Sequence, residues 1–215
     1  MQLKDKKIVI IGDSITEGCG ASSQEKAYPA VLASLSGATV YNYGIGGTRY
    51  AHQIEEIYED KDSFIDRVEK VKEEPDIVLV FGGTNDFGHG DVPFGTDDDR
   101  DGYSYIGACH CLYTSLLKKF TEARIVILTP LHRLSENNRV KEIRNIPTLP
   151  LKDYVDVQKR VAQYYGLPVI DLYSISGIQP AVDTIRQIYM PDGLHPSDKG
   201  AKRLAEIIYA QLLAL

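Results

Sequence analysis

Apolar residues run through the chain in two rhythms. Ile8-Val9-Ile10-Ile11, Ile77-Val78-Leu79-Val80-Phe81 and Ile125-Val126-Ile127-Leu128 are unbroken apolar runs rich in β-branched side chains, the pattern of strands covered on both faces. Weaker runs of the same kind at Thr39 to Tyr43 and Pro168 to Leu172 bring the predicted strands to five. Between the strands, apolar residues recur at helical spacing. The spacing predicts helices from Tyr28 to Leu35, closed by Gly37, and from Asp62 to Lys72, with Phe64, Ile65, Val68 and Val71 as its stripe. Further helices are predicted up to Phe120, from Leu151 to Tyr165 before Gly166, and from near Pro196 almost to Leu215. A long polar loop is expected from Phe87 to about Gly102, a basic connection from Leu131 to Pro150, and a short helix after Leu172. Strand and helix alternate without repeat or linker, which predicts one α/β domain over residues 1–215, a parallel sheet sandwiched between helices.

Composition narrows the partners. A chain of 215 residues can bury one substantial core. Its 30 acidic against 24 basic residues argue against a nucleic-acid partner, which needs a basic face. No run reaches the roughly 18 apolar residues of a membrane span. The first strand follows Met1 to Lys6 so directly that no signal peptide is expected, and Cys19, Cys109 and Cys111 suit a reducing compartment, so the expected location is cytoplasmic.

Four segments sit where predicted strands end or shortly after: Gly12-Asp13-Ser14, Gly46-Gly47, Gly83-Thr84-Asn85-Asp86 and Asp192-Gly193-Leu194-His195. Open parallel sheets collect ligands at these carboxyl ends. A serine hydroxyl needs a base to become nucleophilic, and His195 is the candidate. Asp192, three residues earlier, can hold the imidazole in one tautomer. Glycine N–H groups and an asparagine amide can meet the oxyanion of an acyl-transfer intermediate. Plainer readings stand beside these. Ser14-Ile15-Thr16-Glu17 is also a capping box, Asn85 also reads as a turn or helix cap, and His195 as a helix-start residue.

The four blocks GDSIT, NYGIGGT, GTND and DGLH resemble, in order and across nearly the whole chain, those of the SGNH hydrolases, also called GDSL esterases and lipases. The resemblance implies a flavodoxin-like α/β/α sandwich whose five-stranded parallel sheet has the order 2-1-3-4-5. It implies Ser14 as nucleophile, His195 as general base and later acid, and Asp192 as the orienting acid. The oxyanion hole would comprise the N–H of Ser14, Gly47 and Asn85, with the adjacent Gly46 as the other glycine candidate. The implied activity is ester hydrolysis through an acyl-enzyme, with a small-molecule acyl or acetyl ester as substrate and a lean towards carbohydrate deacetylation. Lysophospholipase or thioesterase activity is the alternative within the family. A non-catalytic flavodoxin-like module binding a phosphorylated ligand at the Gly12–Ser14 turn is the alternative outside it.

No cofactor or metal is expected. Cys109-His110-Cys111 would point in different directions on a helix. Asp97 to Gly102 begins like a calcium loop, but position twelve is Ala108. Gly44 to Arg49 lacks the third glycine of a dinucleotide fingerprint. His52, His89, His110 and His132 lack the acidic, strand-end setting of His195. Both long loops leave strand carboxyl ends, so Arg100, His132 and Arg133 are expected to shape substrate preference or a subunit contact, which leaves a homo-oligomer open. Tyr103, Tyr105, Tyr173 and Tyr189 are candidates to stack a sugar.

Overall fold

Alternate residues of each buried strand feed opposite cores. In β1 (Lys7–Gly12), Val9 and Ile11 face one core, while Ile8 and Ile10 face the other. The computed structural model describes residues 2–52, 62–89, 92–137 and 149–215. Strands β1, β2 (Thr39–Gly44), β3 (Ile77–Phe81), β4 (Arg124–Leu128) and β5 (Val169–Ile170) form one parallel sheet in the order β2-β1-β3-β4-β5. On one face pack α3 (Phe64–Val68), α5 (Tyr105–Lys119) and α6 (Leu151–Tyr164). On the other pack α2 (Tyr28–Ser36) and α9 (Asp198–Ala214). The continuous apolar runs are thus explained: β3 is buried throughout, and β1 throughout after Lys7.

Register fixes the level of the strand ends. Gly12 pairs with Gly44 on one side and Phe81 on the other, and Phe81 pairs with Leu128. The segments after β1, β2 and β3 therefore leave the sheet side by side. Short helices α1 (Ser14–Glu17) and α4 (Thr84–His89) follow β1 and β3 almost at once. Beyond β5, α7 (Leu172–Ile175) and α8 (Asp183–Tyr189) lead back to the turn that carries Asp192 and His195.

Three expected elements differ. The helix expected from Asp62 to Lys72 is confined to α3, where Ser63 and Asp66 form a capping box at its start. Buried Val71 follows the helix rather than belonging to it. The fifth strand is only two residues long because Asp171 caps α7, accepting from the Ser174 N–H and turning Leu172 into a helix. The loop expected from Phe87 begins as helix, since α4 runs to His89. Of the basic connection, residues 138–148 lie outside the described residues.

Candidate active site

Ser14 is the first residue of α1, and the cap belongs to its neighbour. Asp13 takes the extended N-cap conformation and accepts from the Ile15 N–H at 3.0 Å. The capping-box reading of Ser14 is corrected accordingly: the carboxylate one residue earlier outcompetes the hydroxyl for the helix donors. The Ser14 Oγ lies 3.0 Å from His195 Nε2. On the far side of the ring, Nδ1 is 2.7 Å from Asp192 Oδ2. Asp192 Oδ1 also accepts from the backbone N–H of His195 (2.7 Å) and Leu194 (2.9 Å), closing the turn on itself.

Those bonds set the proton positions. Burial pushes the Asp192 carboxyl up, but the N–H and ring bonds from His195 and the Leu194 N–H more than offset it, leaving it below the ordinary carboxylate range. An ionised carboxylate only accepts, so Nδ1 carries the proton and Nε2 faces the Ser14 hydroxyl as an acceptor. His195 precedes α9, whose N-cap is Ser197, so it is not the residue that starts that helix.

Asn85 is likewise not a cap. It lies within the first turn of α4, 6% exposed, and its Nδ2 donates to the Thr48 carbonyl at 3.0 Å. One amide hydrogen is so used, and the other has no partner among the described residues. Thr48 follows Gly46 and Gly47, so this bond joins the second and third motif segments directly. The two glycines differ. The Gly46 N–H donates to Glu17 Oε2 at 2.8 Å, whereas Gly47 has φ +77°, a left-handed conformation that favours glycine.

Buried charges lie beneath this surface. Burial lifts the Asp13 carboxyl to about 7, despite the Ile15 N–H and the nearby charges of Arg67 and His195. Burial also raises Asp86, which accepts from the N–H groups of Tyr50 and Ala51, both at 3.1 Å. Arg67 donates to carbonyls at the ends of neighbouring strands, Tyr43 O and Gly12 O, each at 2.9 Å. Burial lowers its guanidinium to about 10. Arg67 escaped sequence reasoning, although its place among Phe64, Val68 and Val71 on the buried stripe was a usable signal.

Other candidates sit elsewhere. His132 does have an acidic partner just past β4: its Nδ1 is 2.8 Å from Glu136 Oε2, and its ring stacks on Tyr173. Arg100 turns back on the carbonyls of Asp97 and Asp99. Asp99 accepts from Thr96 and Ser104, and Asp97 pairs with Arg160, so the acidic loop is bonded within itself and to α6. Tyr105 is fully buried in the core, which removes it as a sugar platform, and Tyr103 lies by His52. Among the described residues no group of three His, Cys, Asp or Glu side chains is placed to hold a metal. A groove of about 540 Å³ lies by Pro75 and Ala123, just before β3 and β4 and so at the opposite end of the sheet.

The model of the GDSL-like lipase/acylhydrolase family matches residues 10–203. The chain belongs to this family. An acetylxylan esterase of Xylanibacter ruminicola is 26% identical over 96% of the chain, and the chain spans 43% of that relative. A crystal structure 35% identical to the chain superposes with a TM-score of 0.84, covering 100% of this chain and 99% of the other. A Lactobacillus plantarum protein, 26% identical, superposes with a TM-score of 0.83 over 98% of both chains. No helix among the described residues is long and apolar enough to cross a membrane.

Proposed function

We propose that the protein hydrolyses acetyl esters of carbohydrates, or similarly small acyl esters, with Ser14, His195 and Asp192 as its catalytic triad. The observation that carries this reading is the continuous chain Ser14 Oγ–His195 Nε2 at 3.0 Å and His195 Nδ1–Asp192 Oδ2 at 2.7 Å. In acylation, His195 Nε2 takes the hydroxyl proton as Oγ attacks the carbonyl carbon. The carbonyl oxygen gains the negative charge and is met by the N–H groups of Ser14 and Gly47 and the second amide hydrogen of Asn85. The tetrahedral intermediate collapses, the C–O bond to the alcohol breaks, and His195 hands its proton to the leaving oxygen. Water, deprotonated by the same nitrogen, then releases the acid and restores Ser14.

Gly47 is assigned to the oxyanion hole because Glu17 already accepts the Gly46 N–H. A phosphate-binding turn needs no histidine–aspartate pair, which speaks against a silent binding module. The acetyl preference rests on the acetylxylan esterase relative. Its test is a series of p-nitrophenyl esters of graded chain length, run beside acetylated xylo-oligosaccharides. Turnover is expected to fall steeply beyond acetate, with acetate released from the oligosaccharide. A preference for long acyl chains would overturn the substrate assignment.

A further inference from the structure

The segment after β4 crosses the face where the proposed site lies, and Arg133 and Leu134 touch both halves of that site. Arg133 Nη1 donates to the Thr84 carbonyl (3.1 Å) and the Thr84 Oγ1 (3.2 Å), immediately before Asn85. The guanidinium lies 5.4 Å from the Phe87 ring centroid, along the same helix. The next residue, Leu134, donates its N–H to the Gly193 carbonyl at 2.8 Å, inside the Asp192–His195 turn. The Leu134 side chain fills the space beside Gly193.

The bridge is itself anchored. The Arg133 N–H donates to Glu136 Oε2 at 3.3 Å, and Glu136 is held by His132 Nδ1 at 2.8 Å and Gln179 Nε2 at 3.4 Å. Gly88 makes room for the guanidinium: a Cβ there would stand 2.7 Å from Arg133 Nη1. Arg133 Nε is buried without a hydrogen-bond partner among the described residues. Burial lowers the Arg133 pKa, against the opposing pull of Asp13 and Asp192. A partly desolvated cation is costly to keep for packing alone. Its two Nη1 bonds to Thr84 hold the first turn of α4, which the Asn85–Thr48 bond also ties down.

From this geometry we infer that Arg133 is a positioning residue. It locks the helix carrying Asn85 in register with the turn carrying Asp192 and His195, so that oxyanion donor and base address one carbonyl. The inference rests on the proposed roles of Ser14, His195 and Asn85. It assigns Arg133 to the rate of the chemical step, where it is expected from sequence to shape substrate preference or a subunit contact. A misplacement of about 1 Å between such groups costs on the order of 100-fold in rate.

The test uses Gly88→Ala, Arg133→Met and their double variant on p-nitrophenyl acetate, with Ser14→Ala as reference. Gly88 lies in α4 and is absent from the positive-φ glycines, so alanine suits the backbone, and the atom it meets is the end of a flexible side chain. Gly88→Ala is expected to keep or raise the melting temperature while lowering kcat about tenfold, with KM changed less than about threefold. Arg133→Met should lower kcat at least as far, the double variant should add little to it, and guanidinium ion should restore part of its rate. An unchanged kcat in Gly88→Ala and Arg133→Met, with Ser14→Ala inactive, overturns this inference and leaves the triad standing. Full activity in Ser14→Ala overturns the reading beneath it. If Arg133→Met unfolds, Gly88→Ala alone decides.

Discussion

The proposed mechanism gives Asn85 two tasks, which stability and turnover read out separately. Its amide donates to the buried Thr48 carbonyl at 3.0 Å, and in the proposed mechanism its other hydrogen meets the oxyanion. Asn85→Ala removes both. The orphaned carbonyl costs about 1–3 kcal/mol of stability. Loss of one oxyanion donor lowers kcat by about 10²–10³-fold. Asn85→Asp keeps the size but sets a carboxylate against the Thr48 carbonyl, beside buried Asp86 and facing the developing negative charge. It should be at least as slow as the alanine variant at neutral pH. Urea unfolding gives the stability loss, and p-nitrophenyl acetate turnover, measured where each variant remains folded, gives kcat and KM. A lowered urea midpoint with kcat within about threefold of the parent would make Asn85 a brace between two loops and take it out of the oxyanion hole.

Asp13→Asn keeps an N-cap for α1 but removes a carboxyl that burial lifts to about 7. The folded state binds this proton more tightly than the unfolded chain, so the carboxyl's stability contribution falls as pH rises from about 4 to 7. The variant should therefore gain stability relative to the parent at pH 8, by up to about 4 kcal/mol, and little at pH 4; equal gains at both would refute the buried-acid account. Asp192 has the opposite sign: its lowered carboxyl stabilises above the unfolded value and loses that contribution as pH falls through the folded one. Asp192→Asn should lower kcat by up to about 10⁴-fold, with a urea-midpoint deficit that shrinks in acid; unchanged kcat removes Asp192 from the mechanism. Gly46→Ala places a Cβ 2.7 Å from Glu17 Oε2, whereas at Gly47 an added Cβ meets nothing within 4 Å but strains a φ of +77°. If Gly47 supplies the donor, Gly47→Ala should lower kcat more than Gly46→Ala; the reverse order would shift the donor to Gly46.

The parallel sheet was legible because β1, β3 and β4 are covered on both faces and so carry unbroken apolar runs, whereas its order was implied only by the family resemblance. Helix ends marked by glycine were equally plain, as at Gly37, which takes φ +68°. What escaped was decided by competition between neighbours. Asp13 takes the cap that Ser14 could have taken, Asp171 converts the end of a strand into a helix, and Ser63 with Asp66 starts a helix that lasts five residues. The side chains of the candidate triad could be named from spacing because Asp192 and His195 share one turn. The partners of Arg67, Arg133 and Glu17 could not, since they are backbone groups between 24 and 55 residues away in sequence, brought together only by the sheet.

The most direct test of the central claim is covalent. Incubation of the active protein with a fluorophosphonate, followed by peptide mass mapping, should place a single label on Ser14, with hydrolysis lost in proportion to labelling. Ser14→Ala should take no label and show no turnover while keeping the parent's unfolding profile. A label on another serine, or full loss of activity without any label on Ser14, would contradict the account.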